Sequence, residues 1–261
     1  MQTNQDAFIQ TLRTSLGKGA QDTEARRAAI FTRKNQDRPD SQAALVDTIK
    51  ARGRDEQLKL LDCLIEEGKP LNLTVVPVKD TAAASTAMAQ LVADTLPEWG
   101  DKKSLVQWDH PLVQALDLEA ALRDQNVPVS TAAYTGTENS DREKADKRAD
   151  IRQKVIDAYM GVTSADYCLA DTATLVMKSR PNEARSVSLL PSIHVGVIRL
   201  EQILFDLKEL YALLKWDPDN KNQLPHHMVF VSGPSKTADI ELVMVHGAHG
   251  PRALTLYVIT G

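Results

Sequence analysis

From Leu71 onward the chain alternates between two textures that leave few folds open. The run Leu71 to Val78 is β-branched and suits a buried strand, while Ala82 to Leu96 is rich in alanine and favours helix. The pattern then repeats. Leu105 to Trp108 reads as a strand, Val113 to Leu122 as a helix and Val127 to Ser130 as a third strand. Strands separated by helices at a spacing of roughly 25 residues need crossover connections, and those build a parallel sheet. The expected class is α/β.

Residues 1–67 carry no convincing strand. Ala43, Ala44, Leu45, Ile49, Leu58, Leu61, Leu64 and Ile65 recur at helical spacing, and Gly68-Lys69-Pro70 is a stop signal. The organisation expected is therefore a helical extension over 1–67 and an α/β core over 68–261. Further on, Asp141 to Met160 is a charged helix with a solvated face. Tyr167 to Leu169, Thr174 to Met177, Ser186 to Leu190 and Ile193 to Leu200 look like closely spaced strands, compatible with hairpins or a mixed sheet. Glu201 to Trp216 is amphipathic, with Ile203, Leu204, Leu207, Leu210, Tyr211 and Leu214 on one face. His227 to Val231 and Leu254 to Ile259 are the last strands expected.

Composition excludes several classes of function. A net charge of −4 offers no strong basic field for nucleic acid, and a 5 % aromatic share gives little base-stacking surface. Two cysteines, Cys63 and Cys168, fall short of the roughly four thiolates of an iron–sulfur cluster; both read as small buried hydrophobes. The start of the chain has no basic segment leading into an apolar one, and no apolar window reaches membrane-span length. A cytoplasmic protein is expected.

The chemistry concentrates near the C-terminus. Ser232-Gly233-Pro234-Ser235-Lys236-Thr237-Ala238-Asp239 follows a strand directly, as an anion cradle does: glycine admits backbone amides, hydroxyls donate and Lys236 supplies charge. The spacing is not that of a Walker A loop, and a strand-to-helix turn with capping hydroxyls is the structural alternative. Asp239 caps a helix or holds Lys236. His246-Gly247-Ala248-His249 has a two-imidazole spacing, but its glycine and Pro251 oppose a helical zinc site, so no metal is expected. Asp166, Asp171 and Glu241 sit near strand ends, where an acid serves as base, nucleophile or cap. His194 opens an apolar strand as a core histidine or a ligand contact.

Several of these segments occur in an order that resembles the LUD-domain family, with the lactate utilisation protein C branch the nearest. They are Gly233 to Glu241, Gly247 to Arg252, Ala170-Asp171-Thr172-Ala173-Thr174, and Leu190-Pro191-Ser192-Ile193-His194. The resemblance covers about residues 155–261; one departure is Ala173, where the family turn carries glycine. It implies a three-layer α/β/α sandwich like that of the NagB/RpiA/CoA-transferase group. It also implies a component of a cytoplasmic iron–sulfur system oxidising L-lactate to pyruvate, with the clusters in partner subunits and no cofactor in this chain. On that reading Lys236 and Arg252 pair with a small anion. Ser235 and Thr237 donate hydrogen bonds, His249 orients or exchanges a proton, and Gly233, Asp239, Gly250 and His194 complete the pocket. The alternative is a stand-alone CoA transferase or cyclo-ligase with Glu241 or Asp171 as the carboxylate nucleophile. A third is a scaffold whose N-terminal helices bind a protein.

Overall fold

Six strands pair in register to make one parallel sheet in the computed structural model, which describes residues 4–15, 39–98, 100–133, 140–221, 227–238, 244–246 and 250–261. In chain order they are β1 (Leu73–Val78), β2 (Leu105–Gln107), β3 (Val129–Thr131), β4 (Met160–Ser164), β7 (Ile193–Arg199) and β12 (Ala253–Ile259). Their spatial order is β1-β12-β7-β4-β2-β3, and every neighbouring pair is parallel. Pro77, which has no amide hydrogen to give a ladder, is accommodated because β1 is an edge strand.

A parallel sheet must be covered on both faces. On one face α4 (Thr81–Asp94), α5 (Pro111–Gln114) and α6 (Leu118–Ala121) bury Met88, Val92, Leu112 and Leu118 against Val162, Val195, Val197 and Tyr257. Asp80 starts α4 by accepting the Ala83 amide at 2.7 Å. On the other face lie α3 (Arg54–Gly68), α7 (Asp141–Asp157) and α8 (Ser186–Leu189). They share it with a second sheet of order β8-β5-β6-β9, built from β5 (Tyr167–Leu169), β6 (Thr174–Lys178), β8 (Ile203–Leu204) and β9 (Met228–Val231). Leu61, Leu64, Cys168, Leu175 and Met177 pack there against Val106, Ile198 and Leu256. The α/β class and the helices on both faces are thus as the sequence indicates, with a mixed sheet added to one of them.

Beyond the small sheet, α9 (Leu207–Trp216) buries Leu210, Leu213 and Leu214 against Leu169, Val176 and Leu204. Val46 of α2 (Asp40–Lys50) joins that cluster. The chain divides into two compact units, Met1–Ala44 and Leu45–Gly261. The second therefore holds α3 and the end of α2, which lie before the residue-68 boundary expected from sequence. In the first unit, α1 (Asn4–Ser15) leaves Phe8 and Leu12 exposed.

Two local expectations are corrected. Ser186 to Leu190 alternates like a strand, but it forms the turn of helix α8: the Ser188 hydroxyl donates back to the Arg185 carbonyl at 2.9 Å, and the Val187 carbonyl packs against Gly161. A Cβ at position 161 would stand 1.9 Å from that carbonyl oxygen, so only glycine fits. The helix expected from Glu201 begins instead at Leu207. Asp206 caps it, accepting the amides of Lys208 and Glu209 at 2.9 Å, and the preceding Ile203 and Leu204 are spent on β8. Among the described residues, no helix is long and apolar enough to cross a membrane.

Candidate functional site

The turn between β5 and β6 carries Ala170 to Ala173. Ala170 and Asp171 donate their amides to the carbonyls of Leu204 and Phe205 at 2.8 and 3.0 Å, which leaves the Asp171 side chain exposed. Ala173 is fully buried with φ +43°, a left-handed conformation that costs an L-residue about 1–2 kcal/mol. Ala173 thus closes the turn under strain. Thr174, just after it, places its hydroxyl 2.7 Å from that of Ser232, the residue following β9.

Gly233 then turns the chain with φ +88°, close to the Leu71 carbonyl. Ser235 donates its amide to the Pro251 carbonyl at 2.7 Å, and Arg252 donates its own to the Ser192 carbonyl at 2.8 Å. Gly250 packs on Ser235, where a Cβ would lie 3.2 Å from the serine Cβ. The two loops are linked by a hairpin of β10 (Lys236–Ala238) and β11 (Met244–His246), in which Lys236 pairs with His246 and Thr237 with Val245. The described residues of all four segments that carry the family resemblance therefore meet at one junction.

That junction lies at the amino ends of the parallel strands. Ser192 and Arg252 immediately precede β7 and β12, and Leu71 lies two residues before β1 begins. Open α/β sheets ordinarily receive ligands outside the carboxyl ends. The two cations are both exposed and reach different carbonyls: Arg252 donates to Leu96 at 3.0 Å, and Lys236 approaches Pro70 at 3.5 Å. Asp239, Glu241 and His249 lie outside the described residues.

His194 is inside the core, 1 % exposed, with Nε2 2.8 Å from the Thr163 hydroxyl. Its Nδ1 is buried and finds no partner among the described residues. Burial lowers its pKa to about 4, so the ring is neutral at pH 7. It does not reach solvent at the junction. Cys168 is also fully buried and free, its thiol pushed up by desolvation. Cys63 is half-buried, its thiol raised first by burial and then by the charges of Glu67 and Asp171.

The opposite edge holds a polar cluster that no sequence motif announces. The half-buried Asp166 accepts the Lys178 amide at 2.6 Å and pairs with Arg180, whose other amino group reaches Glu183 at 3.2 Å. His110, just beyond β2, accepts the Leu112 amide on Nδ1 at 3.1 Å. Its pKa is lowered by burial first and then by the Arg180 charge, with Asp166 opposing. Of these residues only Asp166 stood out in the sequence. Lys178, Arg180 and Glu183 are neighbours in the chain, but β5 and β6 separate Arg180 and Glu183 from Asp166, and His110 comes from a distant stretch, so no local spacing relates the cluster as a whole.

The chain belongs to the LUD-domain family: the LUD domain model matches residues 52–259. It is 30 % identical over 164 residues to lactate utilization protein C of Halalkalibacterium halodurans, covering 63 % of this chain and 65 % of that protein. The protein of the same name from a Geobacillus strain is 28 % identical over 156 residues, covering 60 % and 62 %. That of Geobacillus thermodenitrificans is 24 % identical over 201 residues, covering 77 % and 78 %. The chain thus spans a little under two thirds of the first two relatives. A crystal structure of a DUF162 family protein from Deinococcus radiodurans superposes with a TM-score of 0.47 at 18 % identity, covering 80 % of this chain and 99 % of that one.

Proposed function

We propose that this chain is a cytoplasmic component of lactate utilisation that binds a small carboxylate at the junction of the two glycine-bearing loops. The observation that carries the reading is the 2.7 Å bond from the Ser235 amide to the Pro251 carbonyl, which holds Lys236 and Arg252 on adjoining loops. Both cations are exposed, so a carboxylate competes for them without breaking an ion pair among the described residues. Oxidising lactate to pyruvate removes two electrons, which need an acceptor. Two cysteines, one of them fully buried as a thiol, do not make a cluster site. On this reading the redox step belongs to iron–sulfur partner subunits. The name of the curated relatives supports the assignment.

The test is complementation. A strain lacking this gene loses growth on L-lactate; the wild-type chain restores it and copurifies with iron–sulfur subunits, whereas the double variant Lys236→Ala, Arg252→Ala does not restore growth. Normal growth of the deleted strain on L-lactate, or full rescue by the double variant, overturns the reading. Asp171, exposed at the same junction, favours a second reading as a CoA transferase of the NagB/RpiA/CoA-transferase type. Acyl-CoA incubation and intact-mass measurement separate the two, since only the transferase forms a thioester on Asp171 or Glu241.

A further inference from the structure

The carboxyl edge of the parallel sheet carries a cavity of about 360 Å³ lined by Arg148, Arg152, Arg180, Asn182 and Ser186, with Ile151, Ala132 and Ala184 as its apolar wall. Three bonds place it. The Ala132 amide, just past β3, is bonded to the Gln107 carbonyl at the end of β2 at 2.9 Å. The Asp109 amide reaches the Asn182 carbonyl at 3.4 Å, and the Trp108 indole donates to the Ala184 carbonyl at 2.9 Å. Strand β2 connects outward to β3, while its other neighbour, β4, pairs with β7. The strand order reverses here, and a crevice outside the carboxyl ends at such a point is where open α/β sheets bind ligands.

The lining determines the chemistry. Arg148 and Arg152 are four residues apart on α7 and present two like charges on one face, an arrangement unfavourable in an isolated helix. Arg180 adds a third guanidinium from a different direction. Its two amino groups are engaged by Asp166 and Glu183, which fixes the fork while leaving other N–H donors for a ligand. Ser186 contributes a hydroxyl and Asn182 an amide side chain. The lining donors come from α7, from the segment after β6 and from the start of α8, and the guanidinium fork pairs bidentately with a phosphate.

We propose that this cavity binds a phosphate group, at a site distinct from the loop junction and independent of the reading given above. A phosphate dianion accepts from the exposed Arg152 guanidinium and from the Arg180 N–H groups that Asp166 and Glu183 leave over. The wall of Ile151, Ala132 and Ala184 accepts a small apolar substituent if the phosphate is carried on an organic molecule.

The experiment is calorimetric titration of the full-length chain with inorganic phosphate, with glycerol phosphate as a monoester and with acetate and L-lactate as carboxylates. Saturable phosphate or monoester binding is expected, weakening as salt rises. Arg152→Ala is expected to weaken it at least about tenfold, a change of about 1.4 kcal/mol, and Arg152→Lys less. Arg152 is exposed, so an unchanged melting temperature separates loss of binding from loss of fold. Tighter binding of the monoester assigns the site to an organic phosphate, and equal binding to the free ion. The proposal is overturned if phosphate and the monoester give no saturable binding, if carboxylates bind as tightly, or if the affinity survives Arg152→Ala and falls with Lys236→Ala.

Discussion

The hydroxyls of Thr174 and Ser232 lie 2.7 Å apart, although 58 residues separate them in the chain. The contact ties the β5–β6 turn to the start of the Gly233 loop, so two segments far apart in the chain are joined by one side-chain bond. Thr174 also donates toward the Thr172 carbonyl at 3.0 Å, and with its one proton used in the turn its oxygen accepts from the Ser232 hydroxyl.

Replacing Thr174 with valine keeps the shape and removes the hydroxyl. The Ser232 hydroxyl then loses its partner at a half-buried site, and the expected cost is about 1–2 kcal/mol. Urea unfolding measures it. Ser232→Ala should cost less than Thr174→Val, because it leaves the Thr172 contact intact.

Ala173 inverts the ordinary rule for a buried methyl. Deleting one usually destabilises by about 0.8 kcal/mol. Here glycine also relieves a left-handed strain of about 1–2 kcal/mol, against an unfolded-state entropy penalty of about 0.4–1 kcal/mol. Ala173→Gly is therefore expected to be neutral to within about 1 kcal/mol. Ala173→Val adds β-branching at positive φ and volume in a closed core, and is expected to cost more than about 2 kcal/mol. Thermal melting of the pair, with equal loss in both variants, would refute the strain account.

His194 makes stability depend on acidity. Its pKa is near 4 when folded and near the ordinary 6.5 when unfolded, so the unfolded chain binds the extra proton between those values. Stability from this group is fully present above pH 6.5, falls as pH drops and is lost once pH passes below about 4. The total is roughly 3 kcal/mol. Denaturant titrations of the native chain and of His194→Gln between pH 7.5 and 4.5 should differ in slope, with the variant flatter. Parallel curves would show that the ring is solvated.

Much of the fold follows from local pattern. The β-branched run at Leu73–Val78 and the alanine-rich helix after Asp80 form where their side chains direct. Ser186–Leu189 is the instructive failure. Its alternation has a strand's period, yet four residues are too few for periodicity to outweigh the Ser188 back-bond and the close fit of Val187 on Gly161. That fit depends on a residue 26 positions away and leaves no trace in the segment itself.

The four junction segments were legible through their resemblance, in residues and in order, to the LUD-domain family. Residue order alone determined that this is an α/β chain with its loop chemistry near the C-terminus. Only the tertiary structure decided that β12 inserts between β1 and β7, which puts the junction at the amino edge, and that Arg148, Arg152 and Arg180 meet at the opposite one. The reason is physical: the period of apolar side chains is written within a single element, whereas the edge and face on which a residue emerges depend on pairings between elements far apart in the chain.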